Sequence, residues 1–188
     1  MTVLDVGCGP RLPYRAPHAY VIGLDPSADS LAANTDVDDR IVGSAVNIPL
    51  DDASVDLVVA MYALHHVLGC TPANTVMLRE TALAEMARVV RPGGEILVFE
   101  VTPWPVAALL QHCLWGTARR VLGDRLAAYF WTDAEYARTP LGSPEVQTFS
   151  CSPWATFPPI FALPWLRVPR FLFPFDACLY RWRIPDGN

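Results

Sequence analysis

Neither a Cys-x-x-Cys pair nor a histidine pair at metal-ligand spacing from a cysteine occurs in the 188 residues. The five cysteines, Cys8, Cys70, Cys113, Cys151 and Cys178, are odd in number and widely spaced, so reduced thiols are expected and a disulfide scaffold or zinc site is not. Clusters of lysine and arginine are missing too. With a net charge of −5 the chain offers no electrostatic footprint for nucleic acid, and neither DNA nor RNA is expected as a partner. Charged residues are scarce, at 18% against 52% hydrophobic, a balance that argues against disorder and for a folded globular protein. No basic n-region stands at the start, so no signal peptide is read and a cytoplasmic location is expected. There is no internal repeat and no hydrophilic linker, and the length suits one domain over residues 1–188.

What is present opens with VLDVGCGPRLPY, residues 3 to 14. An apolar run enters Gly-x-Gly with Asp5 two places ahead of the first glycine. A buried parallel strand ends this way, in a turn that lets a ligand approach the backbone. A dinucleotide loop has a third glycine, and Leu12 takes its place here. Further apolar runs bounded by turn residues lie at 19–24, 40–42, 55–61 and 95–101. Between the last two, Leu83, Met86, Ala87 and Val90 share one helical face, and Pro92, Gly93 and Gly94 end that pattern, which predicts a helix over 78–90. Strands alternating with helices indicate a parallel sheet whose strand ends, and the loops after them, share one edge.

Composition changes after residue 101: all six tryptophans lie between Trp104 and Trp182, and half of the 18 prolines lie from Pro140 onward. Helical spacing of Leu109, Leu110, Cys113, Leu114, Ala118, Val121 and Leu122 predicts a helix over 106–122. Residues 146–151 and 177–184 read as two strands. The segment 153–175 between them is apolar, aromatic and broken by proline.

Four features, in order, resemble the class I S-adenosylmethionine-dependent methyltransferases, specifically the small-molecule branch of the ubiquinone and menaquinone C-methyltransferases. They are Asp5 ahead of the glycine turn, Asp25 closing the second strand in VIGLDPS, the stretch GSAVNIPLDDASVDLVVAMYALHHV (43 to 67) and EMARVVRPGGEILVFEV (85 to 101). The resemblance covers about residues 1–102. It implies a three-layer α/β, Rossmann-like fold with a mostly parallel sheet and an antiparallel last strand, S-adenosylmethionine as cofactor, a cofactor-binding half (1–102) and a substrate-side half (103–188). It further implies that Gly7, Cys8 and Gly9 let the backbone approach the methionine and ribose, with Asp5 fixing the turn. Asp25 would bind the ribose hydroxyls, Pro26 and Ser27 would line the adenosine, and Ser44 and Ala45 would flank the adenine. Met61 and Tyr62 would face the sulfonium.

Arg11 stands where the family has its third loop glycine, and Pro13 and Pro17 fall within the 18 positions from Gly7 to Asp25. The first crossover helix is therefore expected to be shortened or replaced by a loop. The family's N-terminal helix over the cofactor has no counterpart in these residues.

Methyl transfer needs alignment of the acceptor, exclusion of water and, for some acceptors, removal of a proton. His65 and His66, just past a buried strand, are the candidate bases, and Tyr62 is a candidate contact to cofactor or substrate. Equally, one histidine can cap the loop and Tyr62 can simply pack. No metal is expected at Asp51, Asp52 and Asp56. Residues 153–175 read as a lid over an apolar acceptor, as a packing or homodimer contact, or as a peripheral membrane surface. The leading expectation is a methyltransferase acting on an apolar or aromatic small molecule or a lipid-like acceptor; the alternative is a non-catalytic relative of the same fold.

Overall fold

The structure is a computed structural model that describes residues 1–14, 16–123, 128–149 and 174–186, and the backbone of 154–156 and 167–169. Seven strands form one sheet in the order β3-β2-β1-β4-β5-β9-β6. They are β1 (Thr2–Val6), β2 (Tyr20–Asp25), β3 (Asp39–Val42), β4 (Val55–Met61), β5 (Val90–Pro103), β6 (Glu145–Phe149) and β9 (Phe175–Arg183). The first five pair in parallel, and β9 runs antiparallel to both β5 and β6. Two short strands, β7 (Trp154–Thr156) and β8 (Arg167–Pro169), pair antiparallel with each other. The roles expected of 153–175 lie otherwise outside the described residues.

Parallel strands covered on both faces bury apolar residues toward both, as β1 does with Val3, Leu4 and Val6, and Asp5 is buried among them. Alternation sends Leu4, Val6, Val58, Ala60, Ile96 and Val98 to one face. There they meet Leu83, Met86 and Val89 of α2 (Pro72–Val89) and Trp115 of α3 (Pro105–Leu122). Val3, Val21 and Val59 face the other way, toward Leu12, Val37 and Leu31 of α1 (Ala28–Ala33). This second layer is thin because the chain from β1 to β2 forms only turns and bends among its described residues. A loop replaces the crossover helix, as Pro13 and Pro17 require.

Helix α2 begins six residues before the apolar periodicity does. Its start lies in Thr71, whose hydroxyl accepts from the Asn74 amide at 3.1 Å, and in Pro72 at the first helical position. The Pro92–Gly94 turn falls inside the start of β5, because Gly93 N donates to Ile184 O at 3.1 Å and Ile184 N to Gly94 O at 2.9 Å, which extends pairing toward β9. A further short helix, α4 (Asp133–Tyr136), opens on a capping box between Thr132 and Glu135. Among the described residues, no helix is long and apolar enough to cross a membrane.

Candidate functional site

The strand order reverses between β1 and β4, and the crevice outside the strands' C-terminal ends at such a point is where open α/β sheets hold ligands. Gly7 leaves β1 with φ +74, and a Cβ there would lie 2.5 Å from the Ala63 side chain, so only glycine fits. Its amide donates to Leu24 O at 2.7 Å, which ties the turn to the end of β2. Gly9, at φ +57 with open space where a Cβ would stand, donates from N to Asp25 Oδ2 at 2.9 Å. Asp25 Oδ1 accepts from Ser27 N at 2.8 Å. Each carboxylate oxygen has two lone-pair sites and has engaged one, which leaves one on each for a pair of neighbouring hydroxyls. Asn34, fully buried, holds the turn from the other side through Nδ2 to Gly9 O at 2.9 Å.

Beneath the turn, Asp5 is buried and accepts from the Tyr14 hydroxyl at 2.6 Å. Burial pushes its pKa up to about 6, the Tyr14 bond opposes this, and the negative charge of Asp25 adds to it. The Cys8 thiol is pushed up to about 12 by burial and then by Asp5 and Asp25, so it is no nucleophile at neutral pH. Its side chain is buried beside Gly23 and Val37, and its thiol donates to Gly9 O at 3.6 Å within the turn.

A cavity of about 460 Å³ opens above, within the range of small-molecule sites. Gly7, Asp25 and Pro26 form one side, Ser44 and Ala45 after β3 another, and Tyr62, Ala63 and His66 after β4 the third. Tyr62 adopts φ +53, an uncommon conformation for a residue with a Cβ; its amide donates to Phe99 O at 2.8 Å and its ring meets Phe99 edge-on at 5.1 Å. Six expected residues do not line this cavity: Asp5, Cys8, Gly9, Ser27, Met61 and His65. Ser27 spends its hydroxyl as the N-cap of α1, accepting from Ser30 N at 3.2 Å. Met61 shares the parity of Leu57 and Val59 and lines a separate apolar groove on the thin face of the sheet, with Val3 and Leu97.

The adjacent histidines part company. His66 borders the cavity, whereas His65 is buried and its Nδ1 lies 2.7 Å from Glu100 Oε2. The other oxygen of Glu100 accepts from the amides of Leu64 at 2.7 Å and His65 at 3.3 Å. His65 Nε2 has no hydrogen-bond partner among the described residues, and its ring stacks on Phe130 at 5.1 Å. Behind the pair, buried Arg79 donates to the carbonyls of Val67 and Tyr129 and lies over the rings of Tyr129 and Trp131 at 5.7 and 5.3 Å. Neither Glu100 nor Arg79 figured in the reading of the sequence. The signal for Glu100 was an acid inside the otherwise apolar run ILVFEV. Of the aspartates at 51, 52 and 56, Asp52 pairs with Arg88 at 2.7 Å and Asp56, at the start of β4, with Arg91 at 2.5 Å. Among the described residues no group of three or more potential ligands could hold a metal ion.

Residues 4–98 match the family model of a methyltransferase domain. The chain belongs to the class I S-adenosylmethionine-dependent methyltransferases. It is 35% identical over 118 residues to 27-O-demethylrifamycin SV methyltransferase of Amycolatopsis mediterranei, and 34% identical over 83 residues to demethylmenaquinone methyltransferase of Corynebacterium glutamicum. These stretches cover 55% and 44% of the chain but 40% and 32% of those proteins, so the chain spans well under half the length of either. The fold matches the YcgJ protein of Bacillus subtilis with a TM-score of 0.66 at 16% identity, over 99% of this chain and 92% of that one. It also matches geranyl diphosphate methyltransferase in complex with SAM, at 0.59 and 15%, over 97% and 77%. The seven-stranded, mostly parallel methyltransferase sheet agrees with the resemblance drawn from the sequence.

Proposed function

We propose that this chain transfers a methyl group from S-adenosylmethionine to an apolar or aromatic small molecule or a lipid-like acceptor. The observation that carries the reading is the bond from Gly9 N to Asp25 Oδ2, which presents a pre-positioned carboxylate at the wall of the cavity. The residues fit the cofactor: Asp25 has acceptor sites left for two ribose hydroxyls, the backbone at Gly9 is open, and Ser44, Ala45 and Pro26 offer a small-residue wall for the adenine. When bound, the cofactor supplies an electrophilic methyl carbon on a sulfonium. Tyr62 and Ala63 then close the cavity at the end of β4, and the acceptor is held in line.

For acceptors that must lose a proton, the candidate bases are His66, which borders the cavity, and His65, buried beside it with the two rings 4.1 Å apart. Glu100 accepts from the Nδ1–H of His65, which leaves Nε2 as the basic nitrogen, and that nitrogen is the one the fold leaves unpaired. Aromatic rings surround this region: Phe99 meets Tyr62 and Phe149, while Phe130 meets His65 and Phe175. Such a lining favours flat or apolar acceptors. One relative is named as a tRNA (carboxymethyluridine(34)-5-O)-methyltransferase of Arabidopsis thaliana. The net charge of −5 favours a small-molecule acceptor here over a nucleic acid. Incubation of the chain with methyl-labelled cofactor and fractionated cell extract tests the reading: label is expected in the organic-soluble fraction, and label recovered in tRNA instead overturns it.

A further inference from the structure

Helix α3 carries an apolar face that nothing in the described structure covers. Val106, Leu109, Leu110, Leu114 and Val121 are between 55% and 75% exposed. At about 100° per residue they fall within roughly 140° of the helix circumference. The helix is not free to roll this face inward. On its inner side Trp115 is buried in the core, and Gln111 grips the backbone of Phe130 twice, accepting from N at 2.9 Å and donating to O at 2.8 Å.

Charge indicates what the face meets. The chain carries 19 acidic side chains against 14 lysines and arginines, yet the 18 residues of α3 hold no acid and carry Arg119 and Arg120 in the last turn. Arg120 is exposed and falls in the same sector as the apolar side chains, at the C-terminal end of the stripe. An apolar stripe with an arginine at its end suits an interface that is hydrocarbon in depth and anionic at its rim. The helix starts at Pro105, two residues past the end of β5, so its N-terminus stands at the sheet edge that carries the cavity.

We infer that α3 docks on the surface of an anionic lipid bilayer, lying in the interface with Leu109, Leu110 and Leu114 among the acyl chains and Arg120 at the phosphates. The inference is independent of methyl transfer. With both in place, the site would draw its acceptor from the membrane.

Co-sedimentation of the chain with vesicles of phosphatidylcholine alone, or with about a third phosphatidylglycerol, tests it. Binding to the anionic vesicles is expected, weakening as salt rises. Leu109→Asp with Leu114→Asp, both on solvent-facing positions and checked for fold by circular dichroism, is expected to lower partitioning by about tenfold or more. Arg120→Glu should weaken binding to the anionic vesicles alone. Sedimentation of the wild type no greater than in a lipid-free control overturns the inference, as does undiminished binding by the double variant. So does a lipid-free dimer, seen by sedimentation velocity, that the double variant dissolves, because a second copy would then own this face.

Discussion

His65 and Glu100, 35 positions apart in the chain, meet through a 2.7 Å hydrogen bond with both side chains about 1% exposed. A carboxylate this deep persists because it accepts three hydrogen bonds, from the His65 ring and two backbone amides. Glu100→Gln keeps the shape but turns one acceptor into a donor. The variant is expected to lose about 1–3 kcal/mol of stability and, for an acceptor that must be deprotonated, to lower kcat by roughly tenfold or more. Where His65 is the base, His65→Ala is expected to lower kcat by about 100-fold while leaving cofactor affinity nearly unchanged. Turnover and cofactor Kd measured on the same two variants decide the matter. Parallel losses of affinity and stability with kcat retained would reduce the pair to a loop anchor.

Asp25 holds Gly9 and faces the cavity with its remaining lone pairs. Asp25→Ala is expected to weaken cofactor binding by roughly 2–4 kcal/mol, through the lost charge-assisted bonds and a loosened turn, with the fold retained. Calorimetry on the variant checks this, and an unchanged Kd would place the ribose elsewhere.

The pH dependence of stability follows from Asp5. Its carboxyl is raised from the ordinary 3.8 to about 6, so between those values the folded protein keeps a proton that the unfolded chain has released. Stability from this group is therefore fully present below about pH 4 and falls by roughly 3 kcal/mol as pH rises to about 6, then levels off. Urea midpoints for wild type and Asp5→Asn, compared at about pH 4 and about pH 7, should show the wild type losing ground relative to the variant as pH rises. Tyr14→Phe removes the donor that stabilises the carboxylate, and should shift the carboxyl's NMR titration upward.

Arg79 is buried with its guanidinium over the rings of Tyr129 and Trp131, and its charge interacts with that of Glu100. Arg79→Ala leaves Glu100 without its nearby positive charge and the carbonyls of Val67 and Tyr129 without a donor. A loss of about 3–5 kcal/mol is expected, seen as a drop in the urea midpoint. A loss below 1 kcal/mol would show that the burial of Arg79 contributes little.

Much of the sheet was legible because buried strands end in turn residues: Gly7, Asp25 and Tyr62 each follow such a run and stand together at one edge. Met61 was harder to place. In a strand buried on both faces, polar and apolar residues do not alternate, so parity had to come from its neighbours in the sheet. Ser27 sits where a ligand or a cap can both use a hydroxyl, and the helix that decides it, α1, buries only Leu31 and leaves almost no periodic trace. The separation of His65 from His66 rests on Glu100 and Phe130, and Arg79 on Tyr129 and Trp131. These are contacts that only the folded chain brings together. The 7–19 loop shows the opposite case, since two prolines announced the missing helix directly.

The most direct test of the account is calorimetric titration of the chain with S-adenosylmethionine and with its demethylated product, beside thermal unfolding at rising ligand concentration. Saturable heat with both ligands is expected, with a Tm that climbs with concentration as binding to the folded state requires. No heat and no shift in Tm with either ligand would contradict it.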